Sequence, residues 1–113
     1  MYYVSKRLEI SGAHAVNSSV EGYCEALHGH NWVIVVHCKS AELNEDGMVV
    51  DFGRIKRAIH GRIDHTNLNE TLDGLNPTAE NIARWCAEQV GPTCYRVEVN
   101  ETEGNQAVWE RDE

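Results

Sequence analysis

The densest run of reactive side chains in this sequence is Cys24-Glu25-Ala26-Leu27-His28-Gly29-His30. It leads straight into an apolar run, Trp32-Val33-Ile34-Val35-Val36, that reads as a β-strand. Side chains two apart on a strand share a face, so His28 and His30 project together with only glycine between them. Two imidazoles at that spacing can grip one transition metal. A bare His-x-His is explained as simply by two histidines at an exposed strand start. A third candidate upstream, His14, and a cysteine four residues before His28 favour the metal. Three neutral imidazoles leave zinc its full charge and one open position for substrate.

The elements that must position these groups follow from periodicity. Residues 2–14 predict a long strand, with Tyr3, Arg7 and Glu9 alternating against Val4, Leu8 and Ile10. His14 shares the parity of Leu8 and Ile10, at the strand's end, where a side chain can lean over a cleft. Residues 15–23 read as a polar loop that brings Cys24 toward the histidines. Residues 30–43 predict a second strand, with Trp32, Ile34, Val36 and Cys38 on one face and Val33, Val35 and His37 on the other. Apolar residues on both faces suggest cover on both sides, by helices and by neighbouring subunits. Asn44-Glu45-Asp46-Gly47 is a turn signal, and Met48–Val50 is short and extended. Asp51 is a plausible helix N-cap. Phe52, Ile55, Ile59 and Ile63 form one helical stripe, with His60 off it and solvated.

That helix ends at Asp64-His65, before a polar loop. An imidazole near neutral pKa beside a carboxylate can pass protons, and such a loop is where catalytic groups tend to sit. Asp-His pairs are common, however, and most do nothing. Residues 70–77 read as a loop. Thr78 or Asn76 caps a second helix, with Pro77 in its first turn and Gly91-Pro92 as its stop. Tyr95, Val97 and Val99 mark a third strand ending at Glu101, and Gln106–Trp109 a fourth. The order is ββααββ in a single domain over residues 1–113.

Composition removes several classes of function. The formal net charge is −8, from 18 Asp+Glu against 10 Lys+Arg. Nucleic acid calls for a basic footprint and is not expected as a partner; nor is an anionic membrane surface. No apolar run is long enough for a transmembrane helix. The first residues lack the layout of a signal peptide, so a cytoplasmic location is expected. Cys24, Cys38, Cys86 and Cys94 form no CxxC pair, which argues against a four-thiolate zinc site, and a disulfide framework is not expected. Cys38 and Cys86 read as small core residues.

Taken together, His14, Cys24-x-x-x-His28-Gly29-His30, Asp64-His65 and Glu101 resemble the 6-pyruvoyl-tetrahydropterin synthase superfamily. The cysteine-to-histidine spacing looks most like its bacterial branch, the 6-carboxy-5,6,7,8-tetrahydropterin synthases of queuosine biosynthesis. Asp51-Phe52, Leu68-Asn69 and Asn76-Pro77-Thr78-x-Glu80-Asn81 extend the likeness over nearly the whole chain. The resemblance implies an α+β tunnelling fold, a four-stranded antiparallel sheet with two helices on one face. Trimers of such subunits close a barrel and two barrels stack into a homohexamer, with active sites between subunits. It implies zinc on His14, His28 and His30 and a substrate similar to 7,8-dihydroneopterin triphosphate. Cys24 would be the general base, with its thiolate favoured near zinc. His65, held by Asp64, would be the partner acid/base. Glu101 would take the pterin's amino and ring N–H groups, and Thr78 would touch the pterin.

Two features depart from that pattern. Ile10 and Gly12 stand where the family usually has an aromatic and an alanine, which predicts looser packing near His14. Glu25 makes the motif readable as Glu-x-x-His-Gly-His, resembling a folate-pathway branch in which a glutamate does the base work and the product is 6-hydroxymethyl-7,8-dihydropterin, which makes a folate-branch or dual-activity enzyme the second possibility. Glu25 is equally well a plain loop charge. A non-catalytic zinc-containing protein of this fold that binds a pterin or purine is the third possibility.

Overall fold

Two strands of 13 residues, β1 (Tyr2–His14) and β4 (His28–Ser40), pair antiparallel along their whole length, with Tyr2 opposite Ser40 and His14 opposite His28. The computed structural model that shows this describes residues 1–112, and of Tyr23 and Cys24 it describes the backbone only. Alternation explains the pairing. Leu8, Ile10, Gly12 and His14 of β1 are buried, as are Trp32, Ile34, Val36 and Cys38 of β4, and a one-residue slip would turn every one of them outward. On the opposite face Val33, Val35 and His37 are half-buried, and His37 Nε2 lies 2.7 Å from Glu98 Oε2.

After β4 come α1 (Phe52–Ile63), β5 (Thr66–Asn67), α2 (Leu68–Thr71), α3 (Ala79–Val90), β6 (Cys94–Thr102) and β7 (Asn105–Glu110). The hairpin of β2 (Asn17–Ser18) and β3 (Tyr23–Cys24) lies between β1 and β4. The main sheet runs β5-β1-β4-β6-β7. Asp51 caps α1 by accepting from the Gly53 amide, and Thr78 caps α3 by accepting from the Asn81 amide. α1 packs on β1, α3 on β6 and β7, and the helices touch each other. Ile55, Ile59 and Ile63 of α1 and Ile82, Ala83, Cys86 and Val90 of α3 join Trp32 and Ile34 in one core.

The α+β expectation holds, with additions. The sheet is mixed because β5 runs parallel to β1, Gly12 beside Thr66 and Ala13 beside Asn67. Two residues carry no periodicity, so β5 leaves no signal in the sequence; nor does the single turn of α2. β4 begins two residues earlier than predicted and ends three earlier, at Ser40. Phe52 leaves the buried stripe and is 45% exposed, at the first position of α1. The looseness expected at Gly12 is absent. A Cβ there would meet three side-chain carbons of the fully buried Leu68 at 3.1–3.4 Å, so Leu68 occupies the space. Among the described residues no helix is long and apolar enough to cross a membrane.

Candidate active site

The strand register assembles three histidines. His14 faces His28 directly, and His30 pairs with Gly12 two residues along, on the same face as Trp32. One ring nitrogen from each of His14, His28 and His30 lies within 4.8 Å of the other two. Trp32 forms the floor, its indole edge-on to His14 at 4.8 Å and to His30 at 5.3 Å between centroids. The indole N–H donates to the Gly12 carbonyl at 3.0 Å, which fixes its plane. The cluster thus caps the end of the core, with His14 buried, His30 half-buried and His28 exposed.

The ring nitrogens have divided roles. His14 Nδ1 is 2.7 Å from the Pro77 carbonyl oxygen and His28 Nδ1 is 2.8 Å from that of Ala26. A carbonyl only accepts, so these nitrogens carry protons, and in the neutral form of each ring the lone pair lies on Nε2. His14 Nε2 and His30 Nε2 are buried and have no hydrogen-bond partner. Burial lowers the pKa of His30; the Glu101 carboxylate opposes this, and the rings of His14 and His28 add to it. A neutral imidazole anchored through one nitrogen and bare at the other is how histidine meets a metal ion. Buried polar atoms are otherwise nearly always paired, so the donor set fits zinc, which favours nitrogen ligands.

Glu101, near the end of β6, places Oε1 3.4 Å from His30 Nε2. It lines a cavity of about 520 Å³ with Val16, Thr78, Glu80 and Gln106. The Thr78 hydroxyl oxygen accepts from the Asn81 amide at 3.1 Å as the α3 cap, which leaves its own O–H to donate.

Asp64 and His65 lie on another side of the histidines. Asp64 Oδ1 accepts from the Ser11 amide at 2.9 Å, and His65 N–H donates to the Ser11 carbonyl at 2.7 Å. This reciprocal clamp ties the end of α1 to β1 and holds His65 at φ +57°, in the left-handed region. Asp64 Oδ2 is 3.4 Å from His65 Nε2 and 3.1 Å from His60 Nε2. The Ser11 amide, more than either imidazole, draws the Asp64 pKa below the usual carboxylate range. His65, with a side chain 79% exposed, lines a cavity of about 380 Å³ together with His30, Ser11, Asn31 and Thr66.

His60 is therefore not the solvated residue expected of it; it shares Asp64 with His65. Their i,i+4 spacing at a helix end is the available signal. Within one chain, His65 and Glu101 line different cavities on either side of His30. Glu25 Oε1 accepts from the Val16 amide at 2.9 Å, and the Glu25 amide donates to the Val16 carbonyl at 3.1 Å. It closes the 16–25 loop while its charge is felt at His30. The side chain of Cys24, the predicted base, lies outside the described residues. Asn69 and Asn76 carry no signal in the sequence that points to their roles. Each brackets a loop residue with both ends of its amide, Asn69 at Ala15 and Asn76 at Asn17, with all four bonds at 2.8–3.0 Å.

The likeness seen in the residues extends to whole chains. The family model for 6-pyruvoyl tetrahydropterin synthase matches residues 3–112. The chain is 30% identical to the 6-carboxy-5,6,7,8-tetrahydropterin synthase of Bacillus subtilis, over 96% of this chain and 84% of that one. It is 39% identical to the dihydroneopterin monophosphate aldolase of Pyrococcus furiosus, over 74% of this chain and 70% of that one. The solved 6-pyruvoyl tetrahydropterin synthase of Caenorhabditis elegans aligns with a TM-score of 0.75 at 25% identity, covering 98% of this chain and 96% of that one. With a match running nearly from end to end, the chain belongs to the 6-pyruvoyl tetrahydropterin synthase family.

Proposed function

We propose that this protein is a zinc-dependent lyase that remodels the side chain of a 7,8-dihydroneopterin phosphate, forming 6-carboxy-5,6,7,8-tetrahydropterin for queuosine biosynthesis in the cytoplasm. The observation that carries the reading is the convergence of His14, His28 and His30, with two buried nitrogens that make no hydrogen bond among the described residues. The name of the Bacillus subtilis relative supports the product. His14, His28 and His30 would hold the zinc, whose Lewis acidity makes protons on carbon beside a bound oxygen more acidic.

The chain's own groups would do the rest. The Glu101 carboxylate would accept from the pterin's amino and ring N–H groups, and the Thr78 hydroxyl would donate to its rim. Cys24 would take the first proton as thiolate. His65, on an exposed turn and steadied by the Asp64 carboxylate, would return a proton at the opposite side. Because His65 and Glu101 face different cavities of one chain, this reading assigns each complete site to neighbouring copies, in a homohexamer.

A second reading is favoured by the Pyrococcus furiosus relative. There the Glu25 carboxylate, whose charge is felt at His30, would be the base, and the product would be 6-hydroxymethyl-7,8-dihydropterin. Product mass after incubation with dihydroneopterin phosphates separates the two, with zinc content measured on the same sample. A 6-carboxy product supports the first reading and a 6-hydroxymethyl product the second. Pterin binding without any turnover rules out both.

A further inference from the structure

We infer that His60 is a positioning residue of this site: through the Asp64 carboxylate that it shares with His65, it sets how readily His65 gives up a proton. The inference rests on the pterin-lyase reading above. It begins with a carboxylate that has two claimants. Asp64 Oδ1 is committed to the Ser11 amide at 2.9 Å, which fixes the plane of the group. Oδ2 meets His60 Nε2 at 3.1 Å and His65 Nε2 at 3.4 Å. An ionised carboxylate only accepts, so the ring nitrogens that face it carry protons. The nitrogen of His65 that exchanges a proton with a substrate is then Nδ1.

The backbone holds both rings to this carboxylate. His60 lies four residues before Asp64, a spacing that makes neighbours on a helix surface, and its carbonyl accepts from the Asp64 amide at 3.1 Å. His65 is tied by its own amide to the Ser11 carbonyl at 2.7 Å. Of the two rings His60 is the nearer and the less exposed, with a side chain 34% exposed against 79% for His65. The Ser11 amide does most to keep Asp64 ionised, and the charge of His60 ranks ahead of that of His65 behind it. His60 lines a cavity of about 390 Å³ with Glu9, Asn31, Asp64 and His65. The cavity of His30 shares Ser11, Asn31 and His65 with it but not His60, so His60 acts on the chemistry through its neighbours. Other charges near His60 are few. β1 brings Glu9, which lies 3.4 Å from Arg7. On α1, Lys56 is one turn earlier and Arg57 lies 3.7 Å from Asp51. Among the described residues α2 and α3 bring no charged side chain to that cavity.

Two imidazoles on one carboxylate oxygen titrate as a pair. Each draws on the same negative charge, and a proton on one makes a proton on the other harder to hold. Histidine changes charge between about pH 5 and 8, so His60 divides Asp64 over the range in which an acid catalyst works. With Asp64 to itself, His65 would bind its proton more firmly and return it less readily. A like charge roughly 6 Å away near a protein surface is worth about half to one pH unit.

The test is the pH dependence of kcat for the zinc-loaded full chain, with whichever of 7,8-dihydroneopterin triphosphate and monophosphate it turns over, together with the NMR titration of the His65 ring in the same protein. His60→Gln removes the second charge and His60→Lys makes it permanent. The alkaline limb of kcat and the His65 midpoint should move up by about half a pH unit in the first and down by about half a unit or more in the second, with KM within about twofold of wild type in both. Opposite shifts do not arise from a loosened helix end, which lowers kcat by one factor at every pH. Midpoints that coincide in all three proteins, or that move the same way in both variants, overturn the inference and leave the lyase reading standing. A wild type that turns over neither phosphate overturns that reading and the inference with it.

Discussion

His14→Phe separates the metal from the fold. The phenyl ring keeps the edge-on contact with Trp32, now at 4.8 Å, and removes both ring nitrogens. Loss of Nε2 abolishes a buried, unpartnered acceptor, and loss of Nδ1 strands the Pro77 carbonyl, now 2.7 Å away. Each unpaired group costs about 1–3 kcal/mol, so the two changes offset and the metal-free proteins should melt within a few degrees of each other. Zinc breaks the tie. At about 100 times its dissociation constant it stabilises the wild type by about 2.7 kcal/mol, which is ~10 °C or more in Tm for a domain of this size. With two imidazoles left, the variant should gain little. Melting curves with zinc and with chelator, alongside metal content per chain, give the answer. A wild type that zinc does not shift, or a variant that gains as much as the wild type, would refute the assignment of these three rings to one ion.

Asp64→Asn should cost about 1–2 kcal/mol at pH 7, the worth of a hydrogen bond made by a charged group, partly kept by the amide oxygen. Because the Ser11 amide lowers the Asp64 pKa in the folded state, its stabilisation is present above the unfolded value of about 3.9 and disappears as pH falls through the lower folded value. Urea titrations should therefore show wild type and variant converging below about pH 4, and an equal gap at pH 3 and pH 7 would contradict this. Glu25→Gln keeps an acceptor for the Val16 amide, whereas Glu25→Ala strands it, so the alanine variant should melt about 4–8 °C lower. If Glu25 is the base, both variants should lose about 10²–10⁴-fold of any 6-hydroxymethyl product, a loss that thermal stability does not track. Gly12→Ala drives a methyl to within 3.1 Å of Leu68 and should destabilise by about 1 kcal/mol, once roughly 1–3 of overpacking is set against about 0.5–1 of unfolded-state entropy. An alanine variant more stable than the wild type in denaturant titration would show that Leu68 yields freely.

The features legible in the sequence are those that repeat. Thirteen residues alternating in β1 and again in β4 place His14, His28 and His30 on the core face by pattern alone, and caps at Asp51 and Thr78 bracket helices of ordinary length. Single long-range contacts are not legible in this way. The Ser11–Asp64 clamp spans 53 residues, the His14–Pro77 bond 63, and the brackets of Asn69 and Asn76 54 and 59. None leaves a period, and each uses a residue that a sequence reading assigns to a loop or a cap. His60 escapes for a related reason. The helical stripe that sorts apolar from polar residues does not see that the last turn of α1 ends beside a carboxylate.

These long-range bonds also explain how the fold tolerates its least stable layer. A core that ended in leucines after Ile10 and Trp32 would be worth more than three imidazoles with two buried nitrogens unpaired. The histidines are instead fixed one by one: His14 by Pro77, His28 by Ala26, and His30 between Trp32 and Glu101. The segments that supply those partners are pinned in turn by the asparagine brackets and the Ser11 clamp. Local rules of burial are broken where the sheet opens into cavities, and contacts distant in sequence make up the difference. Rings held this firmly without a metal lose little freedom on binding one, so the stability forgone in the empty protein returns as affinity for the ion.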